Sequence, residues 1–230
     1  MSDYAVSAGE SVFGVTLSSS RSQDVFSGGY AFGTTISGQG IQTIFSGGVA
    51  SNTKLYGYAA RQVVSLGGSA VGTTISYGSQ FIASGGMAIN TNITYHYGIL
   101  AGRIDSSWQY VYFGGSSVGT KIYGGYQYIA SGGVARNTTV LSGGDQKIES
   151  GGVASNTTLS GGYQYVSSGG RVCDTTIFSD GRQYVYSGGT ALHTILHSAG
   201  SQTVYSGGSA MYTSVYSGAV QVFSSGAIGN

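Results

Sequence analysis

Short runs of alternating polar and apolar residues recur along the chain, each closed by glycine. The stretch Tyr126-Gln127-Tyr128-Ile129-Ala130-Ser131-Gly132-Gly133-Val134-Ala135-Arg136-Asn137-Thr138-Thr139-Val140-Leu141-Ser142-Gly143-Gly144 is representative. It holds two period-two segments, Q-x-[VI] and T-x-[ILV], and a glycine turn follows each. Alternation at period two puts Gln127 and Ile129 on one face of a strand, and Thr138 and Val140 on one face of another. The pattern therefore predicts two short strands per unit and no helix.

The unit repeats. Eleven of the twelve Gln residues lie five positions before a Gly, at 23, 42, 62, 80, 109, 127, 146, 164, 183, 202 and 221. All but one of the steps between them are 18 to 20 residues; the exception is 29. Two positions after each Gln stands Val, Ile or, once, Phe (Val25, Ile44, Val64 through Phe223). Six after each of the first ten marker glycines stands Thr, from Thr34 to Thr213, and eight after it Ile, Leu or Val. Three after it Ala predominates. A period near 19 held this long means one supersecondary unit stacked on itself. The predicted fold is all-β: a right-handed parallel β-helix of about eleven rungs, with like residues stacked about 4.8 Å apart and a rod of roughly 50 Å. Residues 1–230 are read as one such domain. Buried Gln and Thr require partners, and the expectation is that both columns form ladders in which each amide donates to the neighbouring rung. The residue five after the marker Gly is Gly, Asn or Asp from Gly33 to Asp174, which predicts a left-handed turn position there.

Composition narrows the function. Of 230 residues 42 are Gly and none is Pro, but aromatics reach 12% and charged residues only 7%, the reverse of a disordered chain. Net charge is +1 with no basic stripe, which argues against nucleic acid as a partner. One Cys allows no intrachain disulfide. No apolar run of about 18 residues exists to insert in a membrane. Met1 to Gly9 holds no basic and apolar leader, so an exported protein would be expected to extend beyond this segment.

The rung string Q-x-[VI]-x-S-G-G-x-A-x-N-T-x-[ILV]-x-x-G-G, written out in Ser150 to Gly162, resembles the strand-loop-strand repeat of autotransporter passengers, including adhesins of diffuse adherence and self-aggregation. The likeness spans about Ser22 to Gly226. It implies a β-helix at the bacterial cell surface or in the extracellular medium, acting in adhesion, autoaggregation and biofilm formation. It also implies O-heptosylation of repeat serines by a dedicated transferase. The matching acceptor positions, before the marker Gly, are Ser27, Ser46, Ser84, Ser131, Ser150, Ser168, Ser187 and Ser206; Leu66 and Phe113 interrupt the column.

Two features stand outside the repeat. The long step between Gln80 and Gln109 carries about ten extra residues within 94–107, an insertion that brings His96, Arg103 and Asp105 into one segment. Solenoid insertions normally emerge as a loop on one face. Beside it, residues flanking Gln must face outward where Gln faces inward. Trp108, Tyr110, Tyr112, Tyr126, Tyr128, Tyr163, Tyr165, Tyr184 and Tyr186 then form an aromatic face, broken by Asp145, Lys147 and Glu149. An exposed aromatic field suits contact with glycans or protein.

The reading is a structural adhesion module whose partners are a second copy of itself, surface glycans and a glycosyltransferase. The alternative is a carbohydrate-active enzyme or glycan-binding rod using the insertion and the Tyr-rich face. Enzyme chemistry is not expected: Asp145 and Glu149 lie roughly 13 Å apart along one strand, and a glycosidase pair needs about 5 to 9.5 Å. His193 and His197 lack further ligands for a metal, and no cofactor motif is present. Lys147 between the two acids predicts a surface ion cluster, and His193 one rung from Asp174 predicts a local hydrogen bond.

Overall fold

The computed structural model describes residues 3–94 and 107–229, and among them every named element is a strand. The chain winds as a parallel solenoid. Each coil begins with a Gln strand, such as Gly125–Ile129, turns at the double glycine, and continues through an Ala strand, Val134–Arg136. It then turns at Asn137 and enters a Thr strand, Thr139–Leu141. Twelve Gln-type strands stack in one sheet, and the Ala and Thr strands make up a second of 21 strands. Every strand pairing is parallel and in register: Gln109 opposes Gln127 and Gln127 opposes Gln146, while Ala135 opposes Ala154.

The sequence pattern missed two things here. The Ala strand is a third strand in each coil; at three residues it is too short to display its own alternation. In two coils it fuses with the Thr strand into Val153–Ser160 and Arg171–Phe178. The stack also has an N-terminal coil without Gln, whose Tyr4–Val6 strand pairs with Ser22–Val25 and sets Tyr4 against Gln23.

Three seams fill the coil. Val or Ile of the Gln strand packs on Ala of the Ala strand, as in Val111, Ile129, Ala135 and Ile148. Ile, Leu or, at 140, Val of the Thr strand forms a second apolar seam, from Leu17 to Leu196. The third seam is polar, its Gln and Thr side chains buried at essentially zero exposure from Gln23 to Gln202. Each Gln Nε2 donates to Oε1 of the Gln one coil before it, at 2.5–2.8 Å. The Thr hydroxyls form no ladder of their own. Each donates across its own coil to Gln Oε1, at 2.9–3.4 Å (Thr34 to Gln23, Thr138 to Gln127, Thr194 to Gln183). An amide oxygen has two lone pairs, and both are used: one for the next coil, one for the Thr. Buried polarity on this scale is tolerable only because nearly every donor finds an acceptor. The exception marks where the column stops: with Tyr4 in the seam, Gln23 Nε2 is buried without a partner.

The corners are set by backbone conformation. The left-handed position after the Ala strand is confirmed at φ near 55° for Asn52, Asn90, Asn137, Asn156 and Asp174, and His193 and Tyr212 adopt it too. Asn156 Nδ2 donates to Asn137 Oδ1 at 3.3 Å, so neighbouring corners also bond. Across the insertion the register resumes, Ser79 opposite Trp108 and Gln80 opposite Gln109. His96, Arg103 and Asp105 lie outside the described residues.

Candidate functional site

Two surfaces are built from this scaffold. The first is the double-glycine corner. Marker glycines pair by backbone from coil to coil, Gly28 N to Gly47 O at 3.0 Å and Gly132 N to Gly151 O at 2.9 Å, so the turn repeats in register like the strands. The residue before each marker Gly is carried at the tip. Ser27, Ser46, Ser84, Ser131, Ser150, Ser168, Ser187 and Ser206 are all exposed and form one column. Leu66 and Phe113 hold the same position, 67% and 72% exposed. Ser225, before Gly226, belongs to the column as well; the signal, Ser four positions after Gln221, was present in the sequence.

The second surface is the outer face of the Gln sheet. All nine predicted aromatic residues lie there, half-buried or exposed, with the Gln side chains turned inward. They fall into two islands. Trp108 stacks on Tyr126 at 4.4 Å between ring centroids and on Tyr110 at 5.4 Å; Tyr110 stacks on Tyr112 at 6.0 Å. Phe81 extends this island, stacked on Tyr110 at 5.2 Å. In the other, Tyr165 stacks on Tyr184 at 5.5 Å and Tyr186 on Tyr205 at 5.0 Å, adding Tyr205 to the field. Phe81 and Tyr205 sit at the flanking positions of their own Gln strands, so the same alternation could have found them. Rings so stacked cover one another's faces and offer edges and hydroxyls to a partner.

The coil between the islands carries the charge. Asp145 opposes Tyr126 and Tyr163; Lys147 opposes Tyr128 and Tyr165. The expected ion cluster takes a different form, because the Lys147 ammonium lies over the rings of Tyr126, at 4.9 Å, and Tyr165, at 5.9 Å. A ring's negative face attracts a cation, and two rings hold this one on the surface. Burial raises the Asp145 carboxyl, with Lys147 opposing. Burial, then the Asp145 charge, pushes the Tyr165 phenol up to about 12. Tyr128 is raised by burial and then by Glu149, which accepts its hydrogen bond. These phenols stay neutral donors throughout the physiological range.

Elsewhere His193 Nδ1 stands 3.7 Å from Asp174 Oδ1, beyond hydrogen-bond range, and its ring stacks on Tyr212. His197 is stacked between Phe178 and Tyr216. Cys173 continues into Leu192 and Met211 in register, and burial pushes its thiol up.

A parallel β-solenoid with a hydrogen-bonded Gln seam and an outward Ser column at glycine corners defines a repeat protein that works by its surface. Comparison with known proteins gives its family. A family model described as the adhesin of the bacterial autotransporter system, probable stalk (AIDA), matches residues 118–181. Among solved structures, the crystal structure of a TibC-catalyzed hyper-glycosylated TibA fragment matches at 35% identity and a TM-score of 0.59. That match covers 99% of this chain and 94% of the other. A search of curated proteins gives no match. The chain belongs to the AIDA-type autotransporter adhesin family, as an adhesin-type passenger segment.

Proposed function

We propose that this chain is a non-enzymatic stalk displayed outside a bacterial cell, glycosylated along the double-glycine corner, and that it adheres and self-associates through its aromatic face. The observation that carries the reading is the column of exposed serines, broken only at Leu66 and Phe113 between Ser27 and Ser225, at a corner of unchanging backbone geometry. Each would present the same acceptor to a glycosyltransferase. The transfer is a displacement at the anomeric carbon of a nucleotide-activated sugar. The bond from that carbon to phosphate breaks, the bond to Ser Oγ forms, and the hydroxyl proton passes to a base of the transferase. The TibA fragment, described as TibC-catalyzed and hyper-glycosylated, supports this assignment. Protein from its native host is expected to show an intact mass several sugar residues above that of the sequence, mapping to Ser27 and the other serines of the column. A mass equal to that of the bare chain rules the modification out.

The aromatic face is the proposed contact surface, because two islands of phenol edges bracket the hydrogen-bonding groups of Asp145, Lys147 and Glu149. Such a strip suits a neutral, hydroxyl-rich saccharide, with carboxylates as acceptors and Lys147 and the tyrosines as donors. A Tyr128→Ala/Tyr165→Ala variant is expected to lose glycan-array binding by about tenfold, the loss of roughly 1.4 kcal/mol. Unchanged binding would remove the face from consideration.

A further inference from the structure

The geometry points to the marker glycine of the following coil as the residue that decides whether a serine can be modified; this inference rests on the glycosylation proposed above. The evidence is the space directly over each acceptor. A Cβ placed on Gly47 would stand 2.7 Å from Oγ of Ser27, one coil earlier. The same relation holds at 2.7 Å for Gly151 over Ser131 and at 2.5 Å for Gly188 over Ser168. Each acceptor oxygen therefore lies in a slot whose far wall is the bare Cα of the next coil.

Two coils show what the slot can hold. Where the acceptor is Leu66, its side chain lies against Gly85, and where it is Phe113, its ring lies against Gly132, each inside the volume a Cβ would need. Phe113 thus sets a six-membered ring in the place where a sugar joined to a serine would begin. Because the corner repeats in register, the same relation between acceptor and overlying glycine recurs from coil to coil.

A side chain at the marker position would close the slot. Serine has a single rotatable bond to its hydroxyl, so a Cβ at such distances would push Oγ into another rotamer at small energetic cost. Stability would change little for that reason, but the oxygen would no longer point along the slot. The glycine acts as a positioning residue through the acceptor below it. Its left-handed backbone, φ 72° at Gly47, also favours glycine. Asparagine separates the two requirements, since Asn52 and Asn90 hold φ 54° and 55° in this same chain.

The test is site-resolved mass spectrometry of the full chain coexpressed with its transferase. In Gly47→Asn, occupancy at Ser27 is expected to fall about tenfold while Ser46, which precedes the substituted residue, stays at the wild-type level. A transferase that reads only the local Ser-Gly-Gly string gives the opposite pattern, with Ser46 lost and Ser27 kept. That result, loss at both, or no loss at Ser27 overturns the inference. A gain-of-site arm provides a second readout: Leu66→Ser is expected to acquire one sugar at position 66, and Leu66→Ser/Gly85→Asn none. A sugar on the double variant also overturns it. A wild-type chain without any sugar would instead remove the glycosylation reading itself, and this inference with it.

Discussion

Gln127→Leu is expected to destabilise the rod by roughly 3–5 kcal/mol, although leucine is close in size and more apolar. In the seam, Gln127 Oε1 accepts from Gln146 Nε2 at 2.8 Å and from the Thr138 hydroxyl at 3.3 Å. Its own Nε2 donates to Gln109 Oε1 at 2.7 Å and to Ser117 at 3.0 Å. All these groups are buried. Removing one amide orphans a donor on the coil above and a hydroxyl in the same coil, and takes one of two donors from Gln109 Oε1, which keeps the Thr120 hydroxyl. Each orphan costs about 1–3 kcal/mol, and the gain from burying leucine offsets only part of the sum. Gln221→Leu is expected to cost under about 1 kcal/mol because half-buried Gln221 makes one donation, to Gln202, and among the described residues no side chain donates to it. Urea unfolding of both variants checks the contrast; equal losses would mean that the seam does not contribute in the way described.

The second large effect is expected at Gly152, the second glycine of its corner. Its backbone is one that any residue adopts, so strain in φ does not enter. Space decides instead: an added Cβ would stand 2.6 Å from the carbonyl oxygen of Ile129 and 3.1 Å from those of Ala130 and Glu149. None of these is a side chain that can turn away. Gly152→Ala must spread two coils whose backbones hydrogen-bond to each other, at roughly 3 kcal/mol, the upper part of the usual range for overpacking. Gly151→Ala, although it forces alanine to φ 76°, meets only the Ser131 hydroxyl at 2.7 Å and is expected to cost about 1–2 kcal/mol. Thermal unfolding that ranks Gly151→Ala as the worse of the two would refute this account.

Much of the architecture was legible because a solenoid states each contact many times. Gln127 alone could be surface or core; eleven Gln at one phase can only be a buried column. Alternation about that column placed Trp108 to Tyr186 on the outside without coordinates, and the Asn and Gly of the corner announced a left-handed turn. Features that depend on one coil were less legible. Tyr4 begins the seam without Gln, so the first coil did not register in the count. The Thr column looked like a ladder because both ladders and cross-coil bonds need a hydroxyl at a fixed phase; only distances separate them. Lys147 between two acids suggested an ion cluster, but the rings of neighbouring coils, 21 and 18 residues away along the chain, hold it. The relation of Gly47 to Ser27 spans 20 residues and cannot be read from the local motif at all.

The Gln seam has a sense of direction. Each amide from Gln42 on donates one hydrogen to the Gln of the preceding coil, and each of the ten carbonyls that accept faces the following coil, so ten side-chain bonds add head to tail. Each amide carries a dipole of about 3.5 D. Summed along a dry interior, they make the rod electrically polar although its formal charge is near zero. Along the seam from Gln23 to Gln221 the positive end lies at Gln23, whose Nε2 is unpaired, and the negative end at Gln221.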